Sequence, residues 1–208
     1  MKKKSKNTKL EIGDVVFIDG RAKWNLIGKM IRFVENGGKH PTTKFMPNHI
    51  GTVIESYNDI KECKIIESSL VGVRIMPIKH WSNNSKTNII IKRCNKLKSE
   101  KYKKVLKKWL LKQVGKKYDY PALVGILLRF ILLRIVKNKF FKFFIRRMKN
   151  PLANKIKFTC SELVARGFKE AIRIYIFKHV DPANITPYDI FRSKKLKTIA
   201  KIINFEYE

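Results

Sequence analysis

Acidic residues and cysteines are scarce in this sequence. Its 208 residues contain 16 Asp and Glu against 47 Lys and Arg, so the formal net charge is +31. Only three cysteines occur, Cys63, Cys94 and Cys160, far apart and without a CxxC pair. This spacing excludes a disulfide-stapled scaffold and a zinc ribbon. We therefore expect a protein of a reducing compartment.

Several functional motifs are missing as well. No apolar segment of about 7 to 15 residues follows the basic N-terminus before Asp14, so we predict no secretion signal. The sequence has no HExxH motif and no glycine-rich phosphate loop, and we predict neither a metal site nor a cofactor. Arginines interrupt the longest apolar stretch, which is short of the roughly 20 residues of a transmembrane helix. We expect a location in the cytoplasm or at the periphery of a membrane.

Apolar residues and positive charge, by contrast, are abundant. The hydrophobic fraction of 44%, with 13 Phe, 7 Tyr and 3 Trp, suffices for a packed core, and the length suits one full domain. Residues 1–91 carry a charge of 16 − 8 = +8, residues 92–157 carry 22 − 2 = +20 and residues 158–208 carry 9 − 6 = +3. The flanks are therefore typical of globular sequence, and the middle third is a basic region.

The predicted organisation follows from this distribution. We expect a basic tail over residues 1–10 and a single domain over 11–208, in which 92–157 is a basic helical region with a basic apolar insertion at 121–148. Phe and Leu interleaved with Lys and Arg suit an anionic membrane surface. Helices that cover the outer side of a sheet explain the same pattern equally well. Without a recognition motif, the charge does not favour a specific nucleic-acid site.

Hydrophobic periodicity predicts a mixed fold of class α+β. Short β-branched runs separated by Gly, Asn, Asp and Pro indicate an antiparallel sheet, with strands at 15–18, 50–55, 64–67 and 71–76. Apolar residues at helical spacing predict a short amphipathic helix over residues 24–34.

The clearest helix follows Thr159. Its apolar stripe consists of Leu163, Val164, Gly167, Phe168, Ala171 and Ile172. Thr159 at the N-cap and Glu162 at N3 match a capping box. Cys160 precedes the stripe by three and four residues, so it lies in the first turn and faces the sheet.

Cys160 is the best candidate nucleophile, because helix N-terminal N–H groups favour a thiolate. Taken alone, a cysteine on an apolar helix face is more often a small buried hydrophobe. His49 opens a predicted strand, and Gly51 on the same face leaves room for another group. Glu67, in an apolar strand, needs a partner such as an imidazole. Glu55 shares a face with His49 and is an alternative partner.

The segments GDVVF, NHIGTVIE and IIESSLVGVRIMPI, followed late in the chain by FTCSELV, resemble the NlpC-type papain-like cysteine hydrolases. In most of that superfamily the nucleophilic cysteine comes first. The order His, Glu, Cys is similar to the circularly permuted branch, the YiiX/YaeF-like family. GKKYDY and TPYDIF also resemble elements of that family. The long segment between Tyr118 and Cys160 has no family-typical residues.

The resemblance implies a permuted papain-like fold, with an antiparallel sheet packed on the helix that carries the nucleophile. It also implies Cys160 as nucleophile, His49 as general base and Glu67 as the residue that orients the imidazole. Tyr118 is then expected near Cys160, and Tyr118 and Ser161 are expected to contact the substrate.

Two hypotheses remain open. In the first, the protein is a cysteine-dependent amidase or peptidase, or an enzyme of acyl ester hydrolysis or acyl transfer, that forms a thioacyl intermediate on a peptide or lipid substrate. In the second, the protein is not a catalyst and binds an anionic membrane surface or nucleic acid through its charge.

Overall fold

Six strands form one antiparallel sheet in the computed structural model, which describes residues 9–21, 44–176 and 180–204. The order across the sheet is β4-β3-β2-β1-β5-β6. The four predicted strands are present and are joined by two more, β5 and β6, that the sequence patterns do not predict. The strands are β1 (Val15–Gly20), β2 (His49–Glu55), β3 (Lys64–Ser69), β4 (Gly72–Pro77), β5 (Thr87–Cys94) and β6 (Leu196–Ile202).

The tight turn between β3 and β4 fixes the register of that edge of the sheet. Ser69 pairs with Gly72, and Glu67 consequently lies opposite Arg74. Gly72 has a φ of 107°, a conformation that residues with a side chain rarely adopt. A Cβ atom there would lie 2.5 Å from the carbonyl oxygen of Lys116. The turn therefore depends on glycine for its backbone angle and for its close contact with the neighbouring chain.

Helices are placed mainly between β5 and β6. α1 (Lys79–Ser82) precedes β5, and the others are α2 (Glu100–Leu111), α3 (Tyr120–Ile135), α4 (Lys139–Arg147), α5 (Cys160–Arg166) and α6 (Pro187–Phe191). The prediction of a helical region over 92–157 is wrong at its start, because β5 continues to Cys94. The predicted helix over 24–34 lies outside the described residues.

Each face of the sheet packs against its own apolar core. Ile50, Ile54 and Ile66 point to the core that contains α5, whereas Val16, Val53 and Ile65 point to the opposite core, as strand alternation requires. Leu10 is buried in the second core. The predicted tail over 1–10 therefore extends too far, because its last residue belongs to the domain.

α5 begins as predicted and then changes its winding. Thr159 is confirmed as the N-cap, its side chain accepting a hydrogen bond from the backbone N–H of Glu162. The reciprocal bond of a capping box is not formed by Glu162, so that part of the prediction is wrong. After Arg166 the helix continues as a π-helical turn over Gly167–Ala171. At Gly167 a Cβ atom would lie 3.2 Å from Leu110, which shows how closely α2 approaches.

α3 and α4 pack against one another as a hairpin. Asp119 caps α3 by accepting from the N–H of Ala122, and Asn138 caps α4 by accepting from the N–H of Phe140. Asn150 anchors the hairpin to the rest of the protein by donating to the carbonyl oxygens of Ala122 and Ala183. Among helices in the described ranges, none is long and apolar enough to cross a membrane.

Candidate active site

The start of α5 is tied to the sheet through Phe158. The hydroxyl of Ser68 in β3 donates to the carbonyl oxygen of Phe158 at 2.6 Å. The N–H of Asp119 donates to the same oxygen, and the N–H of Phe158 donates to the carbonyl oxygen of Lys117. α5 then packs against β2 and β3. These bonds set the position of Cys160, two residues further along the chain.

His49, the first residue of β2, is held on both sides. The side-chain amide of the preceding Asn48 exchanges two hydrogen bonds with the backbone of Gly20, at 2.8 and 3.1 Å. The side chain of His49 is restrained as well, because its ring packs against the indole of Trp81, with 4.9 Å between the ring centroids. The imidazole is therefore restrained by its backbone and by a neighbouring aromatic ring.

Glu67 receives hydrogen bonds at both carboxylate oxygens. His49 Nε2 lies 2.9 Å from Oε2, and Trp81 Nε1 donates to that oxygen at 2.8 Å. The guanidinium of Arg74 lies 3.0 Å from Oε1. The side chain of Glu67 is fully buried, where a carboxylate without partners is strongly unfavourable. The expected imidazole partner is present, and Arg74 and Trp81 add to the compensation of this buried carboxylate.

Cys160 lies close enough to His49 to contribute to the raised pKa of its imidazole. Nε2 faces Glu67, so Nδ1 is the ring nitrogen that remains available to the sulfur. The structure thus brings together Cys160, His49 and Glu67, which lie on three separate elements. Cys160 itself is 3% exposed and belongs to the core beneath the sheet.

The charges of His49 and Glu67 stabilise each other. Burial by itself lowers the pKa of His49, but the negative charge of Glu67 and the hydrogen bonds with Cys160 and Glu67 outweigh it and raise the pKa to about 10. Burial tends to raise the pKa of Glu67. The charge of His49 and the hydrogen bonds from His49 and Trp81, together with the charge of Arg74, nevertheless lower it to about 2.

Tyr118 and Ser161 both line a pocket beside Cys160, whose space including its open mouth is about 400 Å³. Burial, and next the proximity of Cys160, raises the pKa of Tyr118, so its phenol keeps the proton. Ser161 is buried and donates its hydroxyl to the carbonyl oxygen of Ile185. The rest of the wall is mostly apolar, with Leu123, Ile126 and Leu127 from α3 and with Ile185 and Pro187.

The other candidates lie away from this cluster. Glu55 pairs with Lys64 at 2.9 Å and accepts from the hydroxyl of Tyr57, so it is not the partner of His49. Cys63 and Cys94 are buried free thiols. Burial raises the pKa of the Cys63 thiol, which disfavours its reactive thiolate form.

Sequence reasoning missed Arg74 and Trp81. Arg74 had a detectable signal, since a two-residue turn after Ser69 places it directly opposite Glu67. Trp81 had none, because α1 reaches Glu67 only through the tertiary fold. Gly51 does leave room for another group, but that group is the side chain of Ile65 and not a residue of the cluster. A Cβ atom at Gly51 would lie 3.0 Å from Ile65 Cδ1, so the space is taken by the neighbouring strand.

Another buried carboxyl group follows Cys160 in α5. Glu162 follows Cys160 by two residues, and one of its oxygens, Oε2, has no hydrogen-bond partner. The other oxygen lies 3.6 Å from Arg166. Burial raises the pKa of Glu162 to about 7, against the opposing effects of the Arg166 charge and a backbone hydrogen bond. Unlike Glu67, this carboxyl group therefore titrates near neutral pH.

Comparison with solved structures finds a similar fold in YiiX from Escherichia coli O157:H7, described as a metalloprotein in its crystal structure. The sequences are 16% identical, the TM-score is 0.58, and the match covers 93% of this chain and 98% of that one. Comparison with curated proteins gives no significant match. Within residues 9–21, 44–176 and 180–204, no group of three or more His, Cys, Asp and Glu residues could hold a metal ion. The described donor set therefore does not fit a metal centre.

The family model of the permuted papain-like amidase enzymes matches residues 9–122. This range includes His49, Glu67 and Tyr118, and ends before Cys160. The predicted α+β fold with a permuted papain-like arrangement is confirmed by this match and by the YiiX fold. The chain belongs to the permuted papain-like amidase family of YaeF and YiiX, the C92 family.

Proposed function

We propose that this protein is a cysteine hydrolase in which Cys160 is the nucleophile, His49 transfers the proton and Glu67 holds His49 in place. The observation that carries the proposal is the imidazole of His49, which is hydrogen-bonded to the Glu67 carboxylate at 2.9 Å and lies near enough to Cys160 for that side chain to affect its pKa. A nucleophile, a proton carrier and an orienting group in mutual contact are the requirements of this chemistry.

The charge state of His49 sets the order of its roles. With a pKa of about 10, His49 is protonated at neutral pH, while Glu67, with a pKa of about 2, is ionised. A positively charged ring favours the thiolate form of a neighbouring cysteine. His49 is therefore a proton donor in the first half of the reaction and a general base only in the second, rather than a general base throughout.

The reaction then proceeds in two halves. The thiolate of Cys160 attacks the carbonyl carbon of an amide or ester, and the carbonyl electrons form an oxyanion. As this intermediate collapses, the bond to the leaving nitrogen or oxygen breaks and His49 gives that atom its proton, which leaves a thioester. Neutral His49 next takes a proton from water, the hydroxide adds to the thioester, and the acid departs as the thiolate is restored.

Tyr118 is suited to stabilise the oxyanion. Its phenol is buried, lines the same pocket as Cys160 and stays protonated because its pKa is raised. A neutral O–H donates a hydrogen bond to developing negative charge. The first N–H groups of a helix have no acceptor within the helix, so the backbone N–H of Cys160 is a second candidate donor.

The pocket favours an apolar acyl group. Its wall includes Leu123, Ile126 and Leu127 of α3, together with Ile185 and Pro187. The described residues that line it include no Asp, Glu, Lys or Arg, so a charged acyl part would lose its hydration without compensation. We therefore propose that the acyl side of the substrate is aliphatic, whatever the leaving group.

Acylation of the intact protein tests this proposal. We expect p-nitrophenyl esters to leave their acyl group on Cys160, detected by mass spectrometry of the peptides, with an octanoyl ester reacting faster than an acetyl ester. Iodoacetamide should label Cys160 at least about tenfold faster than a model thiol at neutral pH. In the His49→Ala variant, acylation of Cys160 by the ester and labelling of Cys160 by iodoacetamide should both slow to the rates of a model thiol.

The cysteines and acids elsewhere in the chain provide controls. Cys63→Ser and Cys94→Ser should leave acylation unchanged, and Glu55→Gln should do the same because Glu55 pairs with Lys64. Labelling of Cys160 at the rate of a model thiol, together with an unaffected rate in His49→Ala, would show that the cluster is not a hydrolase site.

A further inference from the structure

The α3–α4 hairpin exposes a large apolar surface. Ten of its residues are between 45% and 70% exposed: Val124, Leu128, Ile131, Leu132 and Ile135 in α3, Phe140, Phe141, Phe143 and Phe144 in α4, and Met148 after it. The phenylalanine rings contact one another, with 4.8 Å between the centroids of Phe140 and Phe144. Exposed apolar surface of this extent marks an interaction site.

The two helices share this surface. Leu128 and Leu132 of α3 meet Ile145 of α4 in a largely apolar groove whose space, including its open side, is about 500 Å³. The guanidinium of Arg129 and the side chain of Lys149 also line the groove. The apolar residues of both helices are therefore linked, and cationic groups lie among them.

The segment that forms this surface carries charge of a single sign, although Asp181 lines a pocket beside Arg147 and Lys149. Residues 121–157 contain ten Lys and Arg and no Asp or Glu. Lys137, Lys139, Arg147 and Lys149 are exposed, and the Arg147 guanidinium stacks over the ring of Phe143, 4.0 Å from its centroid. An occupant of this surface must therefore be both apolar and anionic.

Other occupants meet these requirements less well. A second copy of the chain would bring two segments of charge +10 together, which is repulsive. Nucleic acid would pair its phosphates with the cations and stack its bases on phenylalanine, but it would leave the exposed aliphatic side chains of α3 unburied. A bilayer with anionic headgroups supplies hydrocarbon and negative charge in one surface.

We propose that the α3–α4 hairpin docks on an anionic lipid bilayer, with its apolar residues inserted at the boundary between headgroups and acyl chains and its cations among the headgroups. The inner side of α3 forms part of the pocket wall beside Cys160, through Leu123, Ile126 and Leu127. Docking would therefore hold that pocket against the membrane. This last consequence rests on the proposed function, whereas the docking itself does not.

Co-sedimentation with vesicles tests the docking, using the Cys160→Ala variant so that no lipid is turned over. We expect binding to phosphatidylcholine vesicles that contain phosphatidylglycerol, weakening as salt is added, and much weaker binding to pure phosphatidylcholine. The Phe140→Ser/Phe144→Ser pair should lower the affinity at least about tenfold, because two aromatic side chains lose their burial. Lys137→Gln/Lys139→Gln should lower it about 30-fold, at about fivefold per cation.

Matched pairs elsewhere separate docking from attraction by net charge. Leu70→Ser/Val71→Ser removes two exposed apolar side chains at the β3–β4 turn, and Lys104→Gln/Lys108→Gln removes two exposed cations of α2. Both should retain the original affinity within about threefold. Because all these side chains are exposed, each variant should keep the urea unfolding midpoint of its parent.

The proposal is overturned if the control pairs lose as much affinity as the hairpin pairs, or if vesicle binding is absent. It is also overturned if the phenylalanine pair binds vesicles normally but loses binding to double-stranded DNA, or if it converts a dimer into a monomer on size exclusion. Vesicle binding without acylation of Cys160 in the parent protein would leave the docking intact and remove the hydrolase function.

Discussion

Charged side chains are compensated differently in two regions of the molecule, the corner of the sheet around Glu67 and the α3–α4 hairpin. At Glu67 a buried carboxylate has three donors, from His49, Arg74 and Trp81. In the hairpin, cations and apolar side chains lie together at the surface, and residues 121–157 supply no acid. The buried charge of the first region is therefore compensated within the protein, whereas the segment that forms the second supplies cations without acids.

The net charge of +31 is therefore a poor guide to the position of the candidate site. The cluster at Cys160 depends on one of the few acidic residues. Removal of a buried group should therefore affect stability and chemistry strongly, while changes in the hairpin should act locally. Three substitutions, in order of decreasing effect on stability, probe that contrast.

Glu67→Gln should be the most damaging, because it leaves His49 without an anionic partner in a buried position. We expect a loss of about 3 to 5 kcal/mol in the free energy of unfolding, measured with urea at neutral pH. The pKa of His49, measured by NMR, should fall from about 10. Glu55→Gln is the matched control, since it breaks a partly exposed pair with Lys64, and should cost at most about 1 kcal/mol. Equal losses in the two variants would contradict the assigned role of Glu67.

Glu162→Gln tests the second carboxyl group, whose burial is only partly offset by the charge of Arg166. Its pKa is about 7 in the folded protein, above the ordinary 4.5, so the unfolded chain ionises first as pH rises. Stability should consequently fall by about 3 kcal/mol between about pH 4.5 and pH 7, and Glu162→Gln should remove that fall.

Glu67 gives the opposite dependence on pH. Because its pKa is lowered to about 2, its contribution to stability is present above pH 4.5 and is lost as pH falls towards 2. Urea unfolding at a series of pH values separates the two carboxyl groups. An identical pH dependence in the parent protein and in Glu162→Gln would show that Glu162 is not strained by burial.

Gly125→Ala should have the smallest effect, confined to the hairpin. A Cβ atom at Gly125 would lie 2.0 Å from Oδ1 of Asn150, so Asn150 must move and lose its bonds to Ala122 and Ala183. We expect a cost of about 1 to 2 kcal/mol and faster amide hydrogen exchange in α3. The pKa of His49 should stay unchanged.

A double-mutant cycle provides the control for Gly125. If Asn150 carries the effect, Gly125→Ala should cost little when added to Asn150→Ala. Additive losses would place the cause elsewhere in the hairpin.

The residues of the candidate site were largely predictable, for particular reasons. Cys160 follows a Thr N-cap and precedes an apolar stripe, so its helix position could be read locally. His49 and Glu67 each interrupt an apolar strand, where a polar group requires a partner. The choice between Glu67 and Glu55 was harder, because both satisfy strand parity and only the pairing of β2 with β3 separates them.

The missed elements show where local patterns fail. β5 contains three successive isoleucines and is mostly buried, so it has no alternation of apolar and polar residues to mark it as a strand. The π-helical turn after Arg166 keeps the predicted stripe but changes the winding, at the point where Gly167 meets α2. Trp81 reaches Glu67 from a four-residue helix whose sequence gives no functional signal.

The α+β class, the order of the candidate residues along the chain and the concentration of positive charge in the middle third all follow from the amino-acid sequence alone. Periodicity, caps and composition are local properties, and they can be read without coordinates. The folded arrangement is needed to see that Arg74 and Trp81 complete the surroundings of Glu67, that the pKa of His49 is raised, and which faces of α3 and α4 remain exposed. These properties depend on burial and on contacts between segments far apart in the chain, and a one-dimensional pattern does not contain them.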